Sequence, residues 1–364
     1  MKYVDEYRDT EKVKKLADLI NSRLKKPAYK IMEVCGTHTN SIHRFGLKTL
    51  LSDKIDLISG PGCPVCVTSD GYLCCALDLA KNKNVIIATY PDMLRVPAKN
   101  GSLEIARSLG ADIRSVSSAL DALDLARADS GKEIVFLAVG FETTAPGTAV
   151  ALKIAKKEKI KNFSVYSAHK TIPAALMALA SDRDLRLDGF LLPGHVSAVI
   201  GLKGYRAAAR KIKLPSVIAG FEPLDIMFAI YKIIQAANMN KPILENAYSR
   251  IVRDNGNPRA IKILKEVFIQ KDSIWRGLGM IKKSGLEIKP AFRYFDARFR
   301  FGIKEDLGSD MPYRGCECAS VLKGNITPHG CRYFGKGCDP EKPKGPCMVS
   351  REGTCRAYFE YMKS

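Results

Sequence analysis

The fold is decided by a pattern that is clearest in residues 134–144, IVFLAVGFETT. Six apolar residues run into a loop that opens with Gly140, and a helix-like stretch follows. A short, continuous apolar run of this kind is typical of a strand that is buried on both faces of a parallel sheet. The stretch therefore predicts one strand–loop–helix unit.

Six further apolar runs have the same context, because each ends in a polar loop and precedes a helix-like stretch. They are residues 30–34, 55–58, 85–88, 163–166, 189–192 and 217–219. Strands that alternate with helices in this way are typical of parallel sheets covered by helices on both faces. The predicted fold class is therefore α/β, and a further helix is predicted at residues 258–270.

A short internal repeat suggests how the units are grouped. The tripeptide Gly-Phe-Glu occurs at 140–142 and again at 220–222, each time after an apolar run and before a helix-like stretch. The repeat predicts two similar parallel-sheet βα lobes that face each other across a cleft. The predicted division is 50–146 for the first lobe, 147–235 for the second, and 1–49 with 236–364 for a third, cysteine-rich part.

The composition is that of a globular protein of two to three domains, with 364 residues, 46% of them apolar and 26% charged. The N-terminus is charged, and the longest apolar runs are far shorter than the ~18 residues of a membrane span. We therefore expect a cytoplasmic protein with no membrane partner. Eleven cysteines, an odd number, argue against a disulfide framework and for metal or redox chemistry.

The charge is strongly basic, with 58 Lys and Arg against 38 Asp and Glu, a net charge of +20. A nucleic-acid partner is one explanation of such a charge. The basic residues are spread along the chain, however, and no aromatic–basic recognition motif accompanies them. We therefore favour a solvated basic surface that is available to an acidic protein partner.

The C-terminal region contains a group of cysteines that suits a metal centre. Its members are Cys316, Cys318, Cys331, Cys338, Cys347 and Cys355. Their spacings are mostly long and uneven, which favours a [4Fe–4S] cluster over zinc, whose ligands usually come in short C-x2-C pairs. The predicted ligands are Cys316, Cys331, Cys338 and Cys355, with Cys318 as the alternative to Cys316.

A second group is the C-x2-C motif of Cys63 and Cys66, between a predicted strand and a helical stretch that begins near Thr68. A helix N-terminus stabilises a thiolate, and two such thiols can close a disulfide and release two electrons. Half of a zinc site is the alternative, but no second C-x2-C exists to complete it. A redox dithiol is the favoured interpretation.

The third group is Cys35 with His38, which follow another predicted strand. A thiol and an imidazole on one loop can ligate a metal or form a nucleophile–base pair. Ligand sites of open parallel sheets lie beyond the carboxyl ends of the strands, so this loop and the C-x2-C are expected to converge on one cleft. Glu142 follows a further strand and can orient or protonate a group there, or cap its own helix.

The motifs together resemble those of the HypD family of hydrogenase maturation proteins. The resemblance is carried by CGTHT at 35–39, GPGCPVC at 60–66, GFETT at 140–144, PGHVS at 193–197 and GPCMVSREGTC at 345–355, with the other C-terminal cysteines. The motifs have the same order as in the family and extend over nearly the whole chain.

The resemblance implies a role in building the Fe(CN)2(CO) group of [NiFe] hydrogenases, in complex with a small HypC-type chaperone. It implies that cyanide arrives from a HypE-type partner as a protein-bound thiocyanate. Cys35 would help to hold the iron, Cys63 and Cys66 would form the redox pair, and the C-terminal cysteines would bind a [4Fe–4S] cluster. Such a protein is a maturation scaffold with a redox role in cyanide transfer.

Two alternatives belong to other functional classes. One is a stand-alone iron–sulfur thiol–disulfide oxidoreductase, which would not need Cys35. The other is an iron–sulfur protein that binds nucleic acid, which only the net charge of +20 suggests.

Overall fold

The computed structural model describes residues 4–182, 185–306 and 315–361. Its strands are β1 Tyr29–Glu33, β2 Ile55–Ser59, β3 Val85–Thr89, β4 Ile113–Ser115, β5 Glu133–Gly140, β6 Phe163–His169, β7 Gly189–Leu192, β8 Ser216–Ile218, β9 Leu244–Asn246, β10 Phe268–Trp275 and β11 Gly279–Ile288. They form an α/β fold, which confirms the predicted class.

The helices mostly follow the strands in sequence. They are α1 Thr10–Ser22, α2 Gly36–Arg44, α3 Asp70–Ala80, α4 Pro91–Leu94, α5 Leu103–Ser108, α6 Ala119–Ala128, α7 Ala145–Glu158, α8 Ile172–Ala180, α9 Gly194–Ile212, α10 Pro223–Asn238, α11 Pro258–Val267, α12 Ala297–Arg300, α13 Cys318–Leu322, α14 Pro346–Val349 and α15 Thr354–Tyr361. Short 3-10 helices lie at Asp5–Tyr7, Leu47–Leu50, Pro290–Phe295 and Pro328–Gly330. No helix in the described ranges combines the length and apolarity needed to cross a bilayer.

Two parallel sheets and one hairpin organise the described residues. Sheet A has the strand order β2-β1-β7-β8-β9, and sheet B has the order β4-β3-β5-β6. Every pair of neighbouring strands in the two sheets is parallel. Strands β10 and β11 form an antiparallel hairpin. The two Gly-Phe-Glu segments begin at the end of β5 and just after β8, so each sheet carries one of them.

The two sheets do not follow the predicted division of the chain into 50–146, 147–235 and 1–49 with 236–364. The division into these three parts itself stays a prediction. Strands β2 and β3 both lie in the predicted first lobe, yet they belong to different sheets. The chain leaves sheet A after β2, builds the whole of sheet B, and returns to sheet A with β7. A continuous apolar run fits either sheet equally well, so the sequence pattern does not carry the strand order.

One hydrophobic core joins the two sheets. Met32 of β1 and Phe190 of β7 come from sheet A, and Val135 and Leu137 of β5 come from sheet B. The opposite face of sheet B packs against α6 and α7, and the opposite face of sheet A packs against α1 and α10. Both faces of each sheet are therefore buried, as their nearly continuous apolar strands require.

The hairpin of β10 and β11 covers the edge of sheet B at β6. The Thr171 amide donates to Ser284 O over 2.8 Å, and Ser167 Oγ donates to Leu286 O over 2.7 Å. Trp275 is fully buried and its Nε1–H donates to Ser284 Oγ over 2.9 Å. One of these bonds uses the backbone amide that follows β6 and the other uses a side chain of β6, so the hairpin is held against this edge of the sheet. The helix expected at 258–270 ends at Val267, because the chain there enters β10.

Helix α9 contains one backbone position that only glycine fits well. Gly201 has a φ of +68° inside the helix, and Gly256 beside it has a φ of +62°. A Cβ at Gly201 would overlap the amide nitrogen of Gly256 and the carbonyl oxygen of Asp254. The loop before α11 therefore fits into the kink of α9.

We predict that Gly201→Ala lowers the free energy of unfolding by about 1–3 kcal/mol, since the new side chain is strained and has no space. Gly147→Ala is the matched control, because Gly147 lies in α7 and a Cβ there meets no atom within 4 Å. The control should raise stability by roughly 0.5–1 kcal/mol. Urea unfolding measures both changes, and equal stability of the two variants would contradict the assigned packing.

Candidate functional site

The loops that follow β1 and β2 touch each other through their backbones. The Gly60 amide donates to Glu33 O over 2.7 Å, and the Gly36 amide donates to Gly62 O over 3.4 Å. A Cβ at Gly62 would overlap the backbone nitrogen and Cα of Cys35. The parallel register of β1 with β2 pairs Glu33 with Ser59 and so ends both strands at the same edge. The structure thereby brings the Cys35 loop against the loop that carries Cys63.

Cys63 and Cys66 are joined in a disulfide with a Cα–Cα distance of 5.3 Å. Both are buried, with 2% and 0% of their surface exposed. Helix α3 begins at Asp70 and is capped by Ser69, close to the start expected near Thr68, and the motif lies several residues before it. The amide of Cys66 points at Cys63 Sγ over 3.2 Å.

Cys35 is the N-cap residue of α2 and its thiol is buried. Its carbonyl oxygen accepts hydrogen bonds from the amides of His38 and Thr39. Burial raises the pKa of the Cys35 thiol to about 12, and the charges of Glu352 and Glu33 add to the rise. The free protein therefore holds Cys35 as a neutral thiol, and a metal that binds there has to displace its proton.

His38 is fully buried beside the Gly-Phe-Glu segment of sheet A. Its Nε2 lies 2.9 Å from Gly220 O, so Nε2–H is the donor, and its ring packs on Phe221. Burial lowers the pKa of His38 to about 4, which leaves the ring neutral. Its Nδ1 is buried without a hydrogen-bond partner in the described part of the chain. His38 thus links the Cys35 loop to the end of β8 through Nε2. Its other ring nitrogen, Nδ1, makes no hydrogen bond within the described residues.

Glu142 is a buried carboxyl at the end of sheet B. It accepts the amide of Ile172 over 3.1 and 3.3 Å at the start of α8, so it caps the helix that follows β6 rather than its own helix. Burial raises the pKa of Glu142 to about 8. Burial also raises the pKa of Tyr205, and the charges of Glu142 and Cys35 both add to that rise. The three groups therefore share one region, which connects the two sheets.

Sequence reasoning missed Glu33, the residue at the end of β1. It is buried, accepts the Cys35 amide over 3.4 Å, and accepts a hydrogen bond from Thr39 Oγ1. Burial raises the pKa of Glu33 to about 8. The available signal was a glutamate that directly follows the apolar pair Ile31 and Met32 and ends the strand.

Arg276, in the turn of the β10–β11 hairpin, was missed as well. Its amide donates to Val67 O over 2.9 Å, and its Nε donates to Thr68 O over 2.8 Å. Its guanidinium lies 3.5 Å from Asp70, and both side chains are buried. The next residue, Gly277, packs so closely on α13 that a Cβ would lie 2.8 Å from the Cα of Ala319. The turn therefore ties the segment after Cys66 to the C-terminal region.

The C-terminal cysteines line one pocket. The cysteines that line the pocket are Cys316, Cys318, Cys331, Cys338, Cys347 and Cys355. The Sγ atoms of Cys318 and Cys347 are 2.8 Å apart, and both residues are buried. Burial raises the pKa of Cys338, and the charges of Cys355 and Cys331 add to the rise, so these three thiols are neighbours. Within the described ranges no three His, Cys, Asp or Glu side chains are grouped tightly enough to hold a metal ion as they stand.

The C-terminal tail connects this pocket to the other two cysteine groups. Pro346 O lies 3.8 Å from Cys66 Sγ, next to Cys347 in sequence. Thr37 Oγ1 donates to Glu352 Oε1 over 3.1 Å, and a Cβ at Gly36 would overlap the backbone of Glu352. The tail that contains Cys347 and Cys355 therefore packs on both the disulfide and the Cys35 loop.

A comparison with known protein families assigns nearly the whole chain to one family. The family model HypD, described as the hydrogenase formation hypA family, matches residues 11–362. The chain belongs to the HypD family. The family match covers nearly the whole chain and leaves no large segment outside it.

HypD-family relatives cover the chain almost completely. It is 43% identical over 371 residues to the hydrogenase maturation factor HypD of Rhodobacter capsulatus, covering 99% of this chain and 98% of the relative. It is 42% identical over 369 residues to HypD of Azotobacter vinelandii, covering 99% and 97%. It is 41% identical over 368 residues to HypD of Escherichia coli K12, covering 99% and 98%. The resemblance expected from the motifs is thereby confirmed.

We predict a pH-dependent effect of Glu142→Gln on stability. Wild-type Glu142 has a folded pKa of about 8, above its ordinary value of 4.5, so the folded state keeps a proton that the unfolded state releases. The stability of the wild type therefore falls between pH 4.5 and about 8, whereas the amide of the variant carries no titrating proton there. The variant should gain stability relative to the wild type as the pH rises through this window.

Glu266→Gln is the control for this measurement, because Glu266 is exposed and a hydrogen bond from Lys153 lowers its pKa. Removing this carboxylate should change stability by the same small amount at every pH above about 5, because the pH dependence of its contribution is confined to lower pH values. Urea midpoints measured from about pH 5 to 8 test both variants. A difference between Glu142→Gln and the wild type that is independent of pH would contradict the buried, protonated state of Glu142.

Proposed function

We propose that this HypD-family protein holds iron in the crevice at the ends of β1 and β2 while cyanide and carbon monoxide are attached to it. The iron is the cargo of hydrogenase maturation and is shared with a small HypC-type chaperone. The observation that carries the proposal is the backbone contact between Cys35 and Gly62, which sets the loop of a buried thiol against the loop that carries a disulfide.

Cys35 is the proposed protein ligand of the iron. A thiolate is a soft ligand, and one thiolate with a second ligand lent by the chaperone leaves coordination positions open for cyanide and carbon monoxide. Iron binding displaces the thiol proton, because the free thiol has a pKa of about 12. The neutral surroundings, with His38 uncharged, favour a site that acquires negative charge only together with the metal.

Glu142 and Glu33 are the proposed proton-holding groups of the crevice. Their pKa values of about 8 leave both mostly protonated near neutral pH, so each can donate a hydrogen bond or a proton. His38 is a positioning residue, because its Nε2–H fixes the Cys35 loop to Gly220 O.

The dithiol of Cys63 and Cys66 would supply the electrons for cyanide release. A protein-bound thiocyanate from a HypE-type donor takes up two electrons and breaks its S–C bond, giving a thiolate and cyanide. The cyanide then binds the iron. The dithiol loses two electrons and two protons as its S–S bond forms, which balances the step. The disulfide seen here is the oxidised state of that pair.

The C-terminal pocket is the proposed site of a [4Fe–4S] cluster held by Cys316, Cys331, Cys338 and Cys355. Its donor set fits, because soft thiols line the whole pocket. Cys318 contacts both Cys316 and Cys347, and Cys347 also contacts Cys355, so the thiol contacts do not distinguish Cys316 from Cys318 as the fourth ligand. Such a cluster, when bound, supplies electrons one at a time.

A stand-alone oxidoreductase of small thiols fits less well. Its disulfide has to meet external substrates, whereas Cys63 and Cys66 are buried under the C-terminal tail. The burial of Cys35 beside them also has no role in such an enzyme.

We predict that Cys35→Ala abolishes iron retention by the complex with a HypC-type chaperone, because it removes the soft ligand. The measurement is the iron content of the complex after anaerobic loading, with the cluster absorbance recorded in parallel. Cys74→Ala is the matched control, since Cys74 is a half-buried thiol in α3 that contacts Asp70. Retention of the added iron by Cys35→Ala at the control level would refute the role of Cys35.

A further inference from the structure

A basic groove lies between helix α9 and strand β9, away from the cysteine groups. It has a volume of about 630 Å³. Helix α9 lines it with Leu202, Arg206, Ala209 and Arg210, and Lys213 follows directly after the helix ends at Ile212. Leu202 and Arg206 are four residues apart, and Ala209 and Arg210 follow Arg206 by three and four, so these side chains share one face of the helix. The other wall is the segment 242–244, which leads into β9.

The groove has cations but no acidic residue in its lining. Arg206, Arg210 and Lys213 are all exposed. Arg206 reaches Asp254 only at 3.9 Å, and neither of the other two forms an ion pair with a carboxylate in the described part of the chain. Leu202, Ala209 and Leu244 give the groove an apolar floor. A partner that suits this lining has carboxylates next to apolar side chains.

Strand β9 offers an unpaired backbone edge in the same groove. It is the last strand of sheet A, and within the described ranges only β8 pairs with it. Ser216 N–H donates to Ile243 O, and Ala247 N–H donates to Ile218 O. The alternation of a parallel strand then directs the backbone groups of Leu244 and Asn246 toward the open side.

We propose that this groove docks an extended, acidic segment of a partner protein, which adds a strand to the edge of β9. Backbone hydrogen bonds to β9 would supply affinity, and carboxylates on alternate residues would face the cations of α9. The dimensions agree, because Arg206 and Arg210 are separated by roughly 6 Å along the helix and alternate residues of a strand repeat every ~7 Å. The inference does not rest on the iron site.

A protein segment fits the groove better than a nucleic acid does. A sequence-tolerant nucleic-acid site combines cations with aromatic side chains on which bases stack. The groove lining has no aromatic residue, and its apolar floor and strand edge match a peptide. Nucleic acid binding is therefore kept as an outcome of the test rather than as the proposal.

The test uses the full chain and a fluorescein-labelled peptide of eight residues that alternates Glu and Val. Fluorescence anisotropy measures its affinity for the wild type, for Arg206→Glu with Arg210→Glu, and for the milder Arg206→Ala with Arg210→Ala. Lys14→Glu with Lys15→Glu is the matched control, because both residues are exposed on α1 and the charge change is equal. Circular dichroism confirms that each variant is folded.

Two further probes separate the explanations. One is the same peptide with N-methylated alternate amides, which keeps the charge but cannot add a strand. The other is an oligothymidine of eight nucleotides. We expect the groove variants to weaken binding of the first peptide at least roughly tenfold, the control to leave it unchanged, and N-methylation to weaken it similarly.

Three results would overturn the proposal. Equal binding of both peptides would mean that charge alone holds them. Tighter binding of the oligothymidine, lost in the groove variants, would assign the cations to nucleic acid. Absence of peptide binding, or binding that survives in the groove variants, would show that the groove is not the docking surface.

Discussion

The structure depends on the close approach of two loops at the ends of β1 and β2. Gly60 and Gly62 let the second loop lie directly against Glu33 and Cys35, where any side chain would overlap the neighbouring atoms. The contact is possible because the two strands are parallel and in register, so both loops leave the same edge of sheet A. The C-terminal tail then packs on both loops through Pro346 and Glu352 and completes the crevice.

Burial gives this crevice its chemical character. The thiol of Cys35 and the carboxyl of Glu142 have raised pKa values, and His38 has a lowered one, all because water is excluded. Each of these groups is therefore held mainly in its neutral form near neutral pH. A crevice of this kind stores protons, and in the proposed function it would take up charge together with iron and its ligands.

The sequence predicts which segments form strands more completely than it predicts how the strands are arranged in the sheets. All seven predicted runs became strands, because a parallel strand that is buried on both faces is mostly apolar. Strand β10 was not predicted, since its centre is polar and exposed, and β4 and β9 are only three residues long. Local sequence patterns do not encode the order of the strands within a sheet. For this reason the two sheets do not follow the boundaries of the predicted lobes. In the site, Cys35 and the C-x2-C were found from motifs, whereas the helix that Glu142 caps and the role of Arg276 arise only from tertiary contacts.

The most direct test of the shared crevice is a crosslink between the two thiol loops. In a Cys66→Ser variant the Cys63 thiol is free, and dibromobimane can bridge it to a thiol that lies close by. Mass spectrometry of the digested protein identifies the bridged residues. The account predicts a crosslinked peptide pair that contains Cys35 and Cys63, absent when Cys35 is also replaced by Ala. Reagent attached singly to each of these two thiols, with no bridge between them, would contradict it.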